Sequence, residues 1–69
     1  MDLAMAQRLV DRRKAAGLSQ EALAAQLGVS RQAVSKWESG GAMPELDKIV
    51  QLSRVLGVST DALLLDRKS

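Results

Sequence analysis

Apolar residues in the segment 19–38 recur at the spacing of two short helices separated by a tight turn. The positions expected to face inward are Leu23, Ala24 and Leu27 on the first helix and Val34 and Trp37 on the second. Each residue of an α-helix advances about 100° around the axis, so these positions share one side of each helix. Ser19 and Ser30 stand at the N-cap positions, and Gly28 can take the positive φ that the bend requires. The segment is therefore predicted to fold as helix, turn, helix.

The second of these helices has a polar face that is separate from its apolar face. Its members are Arg31, Gln32, Ser35 and Lys36. On a helical wheel they span an arc of about 140°, and the apolar residues lie on the other side of the axis. Such side chains suit base edges and phosphates, since arginine can present a fork to guanine and glutamine can pair with adenine. The face can also be an ordinary solvated surface, and the helix-turn-helix arrangement is what favours DNA.

The same periodicity predicts three more helices. The first runs from about Asp2 to Ala16, the fourth follows the loop Gly40–Pro44 and ends at Gly57, and the fifth is short and capped by Ser59. The proline of the loop stands where helices prefer to begin. The predicted inward positions are Met5, Leu9, Ala16, Leu46, Ile49, Leu52 or Ser53, Leu56, Leu63 and Leu64. The expected fold is all-α, a compact five-helix bundle in a single domain over residues 1–69.

Composition argues against several classes of protein. The chain contains neither histidine nor cysteine, its carboxylates are scattered, and it has no glycine-rich phosphate loop. We therefore expect no enzyme activity, no small-molecule substrate, no metal and no cofactor. The lack of cysteine fits a reducing cytoplasm. No apolar run approaches the roughly 18 residues that span a bilayer, and no signal-peptide core is present, so no membrane partner is expected.

Charge and aromatic content say less about function than the pattern of helices does. The net charge of +2 would not identify a nucleic-acid binder, but the basic excess lies in the N-terminal half, where Arg12, Arg13 and Lys14 form a run. Trp37 is the only aromatic residue. It could stack on bases, yet its place on the apolar side of its helix favours a role as the largest anchor of the core.

Four short segments stand in order along the chain. They are Gly17-Leu18-Ser19-Gln20, Leu27-Gly28-Val29-Ser30, Trp37-Glu38-Ser39-Gly40 and Leu56-Gly57-Val58-Ser59-Thr60-Asp61. At these spacings, from about Leu9 to Leu65, the chain resembles the Cro and repressor family of helix-turn-helix DNA-binding domains. The resemblance implies a lambda-repressor-like fold and sequence-specific binding of double-stranded DNA by a transcriptional regulator, either free-standing or part of a longer protein. Arg12 departs from the family, which usually has an aliphatic residue there. Either this arginine lies along the surface or the first helix is slightly rotated.

The resemblance also implies roles for particular residues. Arg31, Gln32 and Lys36 match base-reading positions, and Ser35 on the same polar face is expected to read bases with them. Gln20, Ser39 and Gly40 match positions that contact the DNA backbone, and Arg13 and Ser30 are expected at phosphates as well. Arg13 and Glu38 match positions that often form an internal ion pair. Arg13 lies one helical turn before Gly17, and Glu38 lies one turn after Val34, at the edge of the apolar face.

The expected partner is an inverted-repeat operator bound by a homodimer. One domain contacts too few base pairs for strong specificity, whereas a twofold axis can place two recognition helices one turn of DNA apart, roughly 34 Å. The dimer contact would involve the loop Gly40–Pro44 or the last helix with Leu65.

A protein-interaction module, such as an antitoxin-type partner-binding domain, is the alternative class. Met43 and the run Leu63–Leu65 could supply its apolar surface. For Leu63 and Leu64, closure of the core is the competing interpretation. Salt dependence separates the two classes, because binding through phosphates weakens steeply as salt rises.

Overall fold

The structure is a computed structural model that describes residues 3–64. Within this range the helices are α1 (Leu3–Ala15), α2 (Gln20–Leu27), α3 (Arg31–Ser39), α4 (Leu46–Leu56) and α5 (Thr60–Leu64). The predicted all-α arrangement of five helices is confirmed. The predicted start of the first helix at Asp2, and Leu65, lie outside the described residues.

Serine side chains cap three of these helices. The hydroxyl of Ser19 accepts a hydrogen bond from the backbone N–H of Ala22 at 3.0 Å, and that of Ser30 accepts one from Ala33 at 3.1 Å. Ser59 makes the equivalent bond at the start of α5. Each bond satisfies an amide that has no partner within its own helix. The first two bonds fix where α2 and α3 begin.

The turn between α2 and α3 depends on Gly28. Its φ is +70°, and its N–H points back to the carbonyl groups at the end of α2. A Cβ at this position would meet no atom within 4 Å, so the requirement for glycine comes from the left-handed backbone and not from crowding.

A single core receives side chains from all five described helices. Its buried members are Leu9, Leu23, Ala24, Leu27, Val34, Trp37, Leu52 and Leu63. Trp37 is only 7% exposed, which confirms its predicted place in the core. Of the two alternatives on α4, Leu52 faces inward, beside Ile49, and Ser53 does not. The Ser53 hydroxyl donates to the backbone carbonyl of Val50 at 2.7 Å.

Two predicted inward positions are wrong. Leu46 is 72% exposed, because α4 begins with this residue and its side chain lies about 60° or more around the axis from those of Ile49 and the later core residues. Glu45 is the N-cap of α4, which thus begins two residues after Pro44. Ala16 is exposed because α1 ends one residue earlier, at Ala15.

Two basic side chains hold the C-terminal ends of helices to other helices. Arg8 of α1 donates to the carbonyl oxygens of Leu63 and Leu64, both at 2.7 Å. Lys48 of α4 donates to the carbonyl oxygen of Leu27 at 3.2 Å. The last carbonyl groups of a helix lack intrahelical partners and carry partial negative charge, so both bonds are favourable. They anchor α5 to α1 and α2 to α4.

Candidate nucleic-acid interface

The polar face of α3 is open to solvent. Its members line one shallow concavity on the surface; they are Arg31, Gln32, Ser35 and Lys36. All are exposed except Ser35, which is partly buried. On the opposite side of the helix, Val34 and Trp37 are buried in the core. The predicted separation of the two faces is confirmed, and the structure brings the predicted base-reading residues together.

The N-terminus of α2 lies beside this face. Nη1 of Arg31 is 3.4 Å from Oε1 of Gln20, the first residue of α2. The backbone N–H groups of Gln20 and Glu21 have no hydrogen-bond partner among the described residues. Free amides at a helix N-terminus carry partial positive charge and suit an anion such as a phosphate.

Three further residues predicted at phosphates occupy the ends of α3. Ser30 is an exposed N-cap whose hydroxyl accepts a bond from the protein, so its own O–H remains a donor. The Ser39 hydroxyl donates to the carbonyl oxygen of Lys36 at 3.1 Å. Gly40, with a φ of +82°, donates its N–H back to carbonyl groups of α3. The donors of Ser39 and Gly40 are therefore used within the protein.

The predicted ion pair between Arg13 and Glu38 is confirmed. Nε of Arg13 donates to Oε2 of Glu38 at 2.7 Å, and Nη2 donates to Oε1 at 3.2 Å. Nη1 of Arg13 donates to the carbonyl oxygen of Leu18 at 2.8 Å. The side chains of Arg13 and Glu38 are 12% and 5% exposed. The pair joins α1 to α3, and its bidentate geometry is the strong form of an arginine–carboxylate contact.

The neighbouring Arg12 is exposed on α1. The arginine that replaces the usual aliphatic residue of the family thus lies at the surface, and Met5 and Leu9 of the same helix remain buried.

Sequence reasoning missed the link between this ion pair and the polar face of α3. Nε2 of Gln20 donates to Oε1 of Glu38 at 2.9 Å. Arg13, Glu38, Gln20 and Arg31 therefore form a continuous chain of hydrogen bonds from α1 to the start of α3. Nothing in the local pattern indicates it, because Gln20 and Glu38 are 18 positions apart.

Neither a metal site nor a membrane-spanning helix is found among the described residues. No group of acidic side chains in residues 3–64 could hold a metal ion. None of the described helices is both long and apolar enough to cross a membrane.

Comparison with known proteins agrees with this geometry. A helix-turn-helix family model matches residues 9–63. A prophage-derived uncharacterized helix-turn-helix transcriptional regulator of Bacillus subtilis, YonR, is 47% identical over 58 residues, which are 84% of this chain and 54% of the relative. The chain thus spans about half the length of that regulator.

Solved structures share this fold over most of the chain. The c2 repressor of phage P22, solved with a synthetic operator, superposes with a TM-score of 0.87 at 36% identity, covering 97% of this chain and 100% of the repressor chain. Hydroxypropylphosphonic acid epoxidase from S. wedmorenis superposes with a TM-score of 0.81 at 34% identity, covering 88% of this chain but only 32% of the enzyme.

These matches define the class of protein. The chain belongs to the helix-turn-helix family, and within it to the Cro and repressor type. Its described helices correspond to the fold of the P22 c2 repressor domain.

Proposed function

We propose that this chain binds double-stranded DNA in a sequence-specific manner, as the DNA-binding domain of a bacterial or phage transcriptional regulator in the cytoplasm. One observation carries the proposal: the accessible polar face of α3 lies beside the free amides at the start of α2. Base edges and a phosphate are the ligands that these two neighbouring groups suit. The P22 c2 repressor, which shares the fold, was solved with an operator.

The polar face of α3 is proposed to enter the major groove, which is wide enough for one helix. Arg31 would donate to O6 and N7 of guanine, and Gln32 would pair with N6 and N7 of adenine. Lys36 would reach a guanine or a phosphate, and Ser35 can donate to or accept from either kind of partner.

The phosphates are proposed to bind mainly at the N-terminus of α2. One Nε2 hydrogen of Gln20 is donated to Glu38, which leaves the second for a phosphate oxygen beside the free backbone amides. Ser30 adds an exposed hydroxyl. Arg13, Ser39 and Gly40 have donors engaged inside the protein, and we assign them to support of the site.

We also propose that two copies bind an inverted repeat. The large hydrophobic residues exposed among the described residues are Met43 at 52% and Leu46 at 72%. Met43 lies in the loop Gly40–Pro44 and Leu46 lies two residues after it. This loop is one of the two places predicted for the dimer contact, the other being the last helix with Leu65. A contact between copies would remove both side chains from water.

The proposal is tested by selecting bound sequences from random duplex DNA and then titrating salt. We expect one enriched motif with dyad symmetry, and an affinity that falls steeply as salt rises. Recovery of random sequences, or no retention of DNA at low salt, would refute it.

Binding to another protein is the second candidate function. The exposure of Met43 and Leu46 favours it, whereas Leu63 is only 1% exposed and belongs to the core. An apolar interface would keep its affinity as salt rises, in contrast to a phosphate-bound complex.

We propose no catalytic role for the domain itself. The chain contains no histidine and no cysteine, the side chains most used as general bases and nucleophiles. Its similarity to the epoxidase covers about a third of that enzyme.

A further inference from the structure

Glu38, in the last turn of α3, is held by hydrogen bonds from two other side chains. Its Oε2 accepts from Arg13, and its Oε1 accepts from both Arg13 and Gln20. With 5% of its side chain exposed and three hydrogen bonds to it, the carboxylate has little freedom to move.

The carboxylate determines which way the amide of Gln20 points. An ionised carboxylate can only accept hydrogen bonds, so Gln20 must present its NH₂ group to Glu38, as the 2.9 Å contact shows. The amide oxygen then points away from Glu38. A guanidinium can only donate, and Nη1 of Arg31 lies 3.4 Å from that oxygen. The hydrogen bonds from Gln20 to Glu38 and from Arg31 to Gln20 can therefore form together in only one orientation of the Gln20 amide.

Arg31 is the residue for which such a restraint matters most. It is exposed and begins α3, and a free arginine side chain has many rotamers to lose when it binds a base. A contact that limits those rotamers in the unbound protein prepares the guanidinium for binding.

We propose that Glu38 is a positioning residue for base recognition: it orients Gln20, and Gln20 in turn directs the guanidinium of Arg31. The inference rests on the proposed function of Arg31 as a reader of bases. It gives Gln20 a second role beside phosphate binding. Substitution of Gln20 should therefore lower base discrimination as well as affinity, although the sequence alone predicts a uniform loss of affinity.

The experiment measures two quantities in the full chain. Without DNA, ¹⁵N relaxation of Arg31 Nε reports the mobility of its side chain. With DNA, the ratio of Kd values for a singly altered and the selected operator reports discrimination at each base pair. The base pair read by Arg31 is the one at which Arg31→Ala loses preference.

Two variants break the chain of hydrogen bonds at different points. In Glu38→Gln the new amide can present either its oxygen or its NH₂ group to Gln20, so the amide of Gln20 is no longer held in one orientation. In Gln20→Met both contacts of Gln20 are removed, while Arg13 and Glu38 stay paired. Asp61→Asn on α5, a carboxylate-to-amide change, and Gln26→Met on α2 lie at exposed positions outside the proposed DNA contacts and serve as controls.

We expect both variants to raise the mobility of Arg31 and to lower discrimination at its base pair about fivefold, the order of one lost hydrogen bond. Discrimination at the Gln32 base pair should not change, and neither control should alter the ratio. Unchanged discrimination in a folded Glu38→Gln variant overturns the role of Glu38. If that variant fails to fold, Glu38→Asp takes its place, because it keeps the charge but withdraws the carboxylate from Gln20. Unchanged discrimination in a folded Gln20→Met variant overturns the inference and leaves the proposed function intact, because the wild-type protein would still select an operator. If the wild-type protein selects none, the proposed function itself has failed.

Discussion

Neighbouring residues of α3 have opposite surroundings. Lys36 is exposed on the polar face, whereas Trp37, the next residue, is 7% exposed. The helical turn of about 100° per residue makes this possible within one short element. At the scale of single residues, substitutions on α3 should therefore separate into those that change recognition and those that change stability.

Substitution of Arg31 or Gln32 by alanine should change recognition. Each variant is expected to lose about 1–3 kcal/mol on the preferred site and to relax the preference at one base pair, because a bidentate contact to a base edge disappears. Binding to selected and singly altered duplexes measures both effects. Equal weakening on selected and random DNA by Arg31→Ala would show that Arg31 contacts only the backbone.

Substitution of Trp37 by alanine should change stability. Removal of a large buried aromatic side chain typically costs about 3–5 kcal/mol, close to the whole stability of a domain of this size. We expect Trp37→Ala to lose its cooperative thermal transition in circular dichroism, and to lose DNA binding with it. A variant that melts cooperatively near the wild-type temperature yet no longer binds DNA would assign Trp37 to the interface instead.

At the scale of elements, side chains from one helix hold the ends of others. Arg13 joins α1 to Glu38 near the end of α3, Arg8 joins α1 to the end of α5, and Lys48 joins α4 to the end of α2. Helices as short as these are marginal alone in water, so tertiary contacts decide whether they form.

A double-mutant cycle on Arg13 and Glu38 tests the first of these contacts. Either Arg13→Met or Glu38→Leu leaves a charge that is largely buried without its partner, which costs up to about 3–5 kcal/mol. The double variant should be milder than the sum of the two, since no unpaired charge remains. Thermal unfolding of the four proteins gives the coupling energy, and strictly additive effects would contradict a stabilising pair.

At the scale of the whole molecule, the large apolar side chain of Leu46 lies at the surface and contributes little to the described core. Leu46 is 72% exposed, whereas Leu56 of the same helix is partly buried and packs against the core. An exposed leucine at this place is explained if a second copy covers it.

Substitution of Leu46 by serine should therefore weaken assembly and leave folding almost unchanged. We expect a change of less than about 0.5 kcal/mol in the free energy of unfolding, because little apolar area is buried there in one copy. On an inverted repeat, the complex of two proteins per duplex should form less cooperatively. Leu56→Ser is the matched control, since it should destabilise the fold. Wild-type saturation at one protein per duplex would exclude the proposed dimer.

Much of the candidate site was predictable because its pattern is local. The polar face of α3 follows from residues 31–36 and the period of the helix, and the caps follow from serines that bond to amides three residues on. The ion pair between Arg13 and Glu38 followed from the family resemblance. Leu46 was wrongly placed inward because periodicity alone does not say how the first turn of a helix lies on its neighbours.

The sequence by itself determined where most helices begin and end, which face of each is apolar, and that the fold is all-α. These features depend on bonds and spacings within a few residues, so both partners of each bond can be recognised in a short segment of the sequence. The tertiary structure alone decided that Gln20 bonds to Glu38, that Arg8 reaches Leu63 across 55 positions, and that Leu46 is left at the surface. Those outcomes depend on how whole helices pack, because only packing brings distant polar groups within hydrogen-bond distance or covers an apolar side chain.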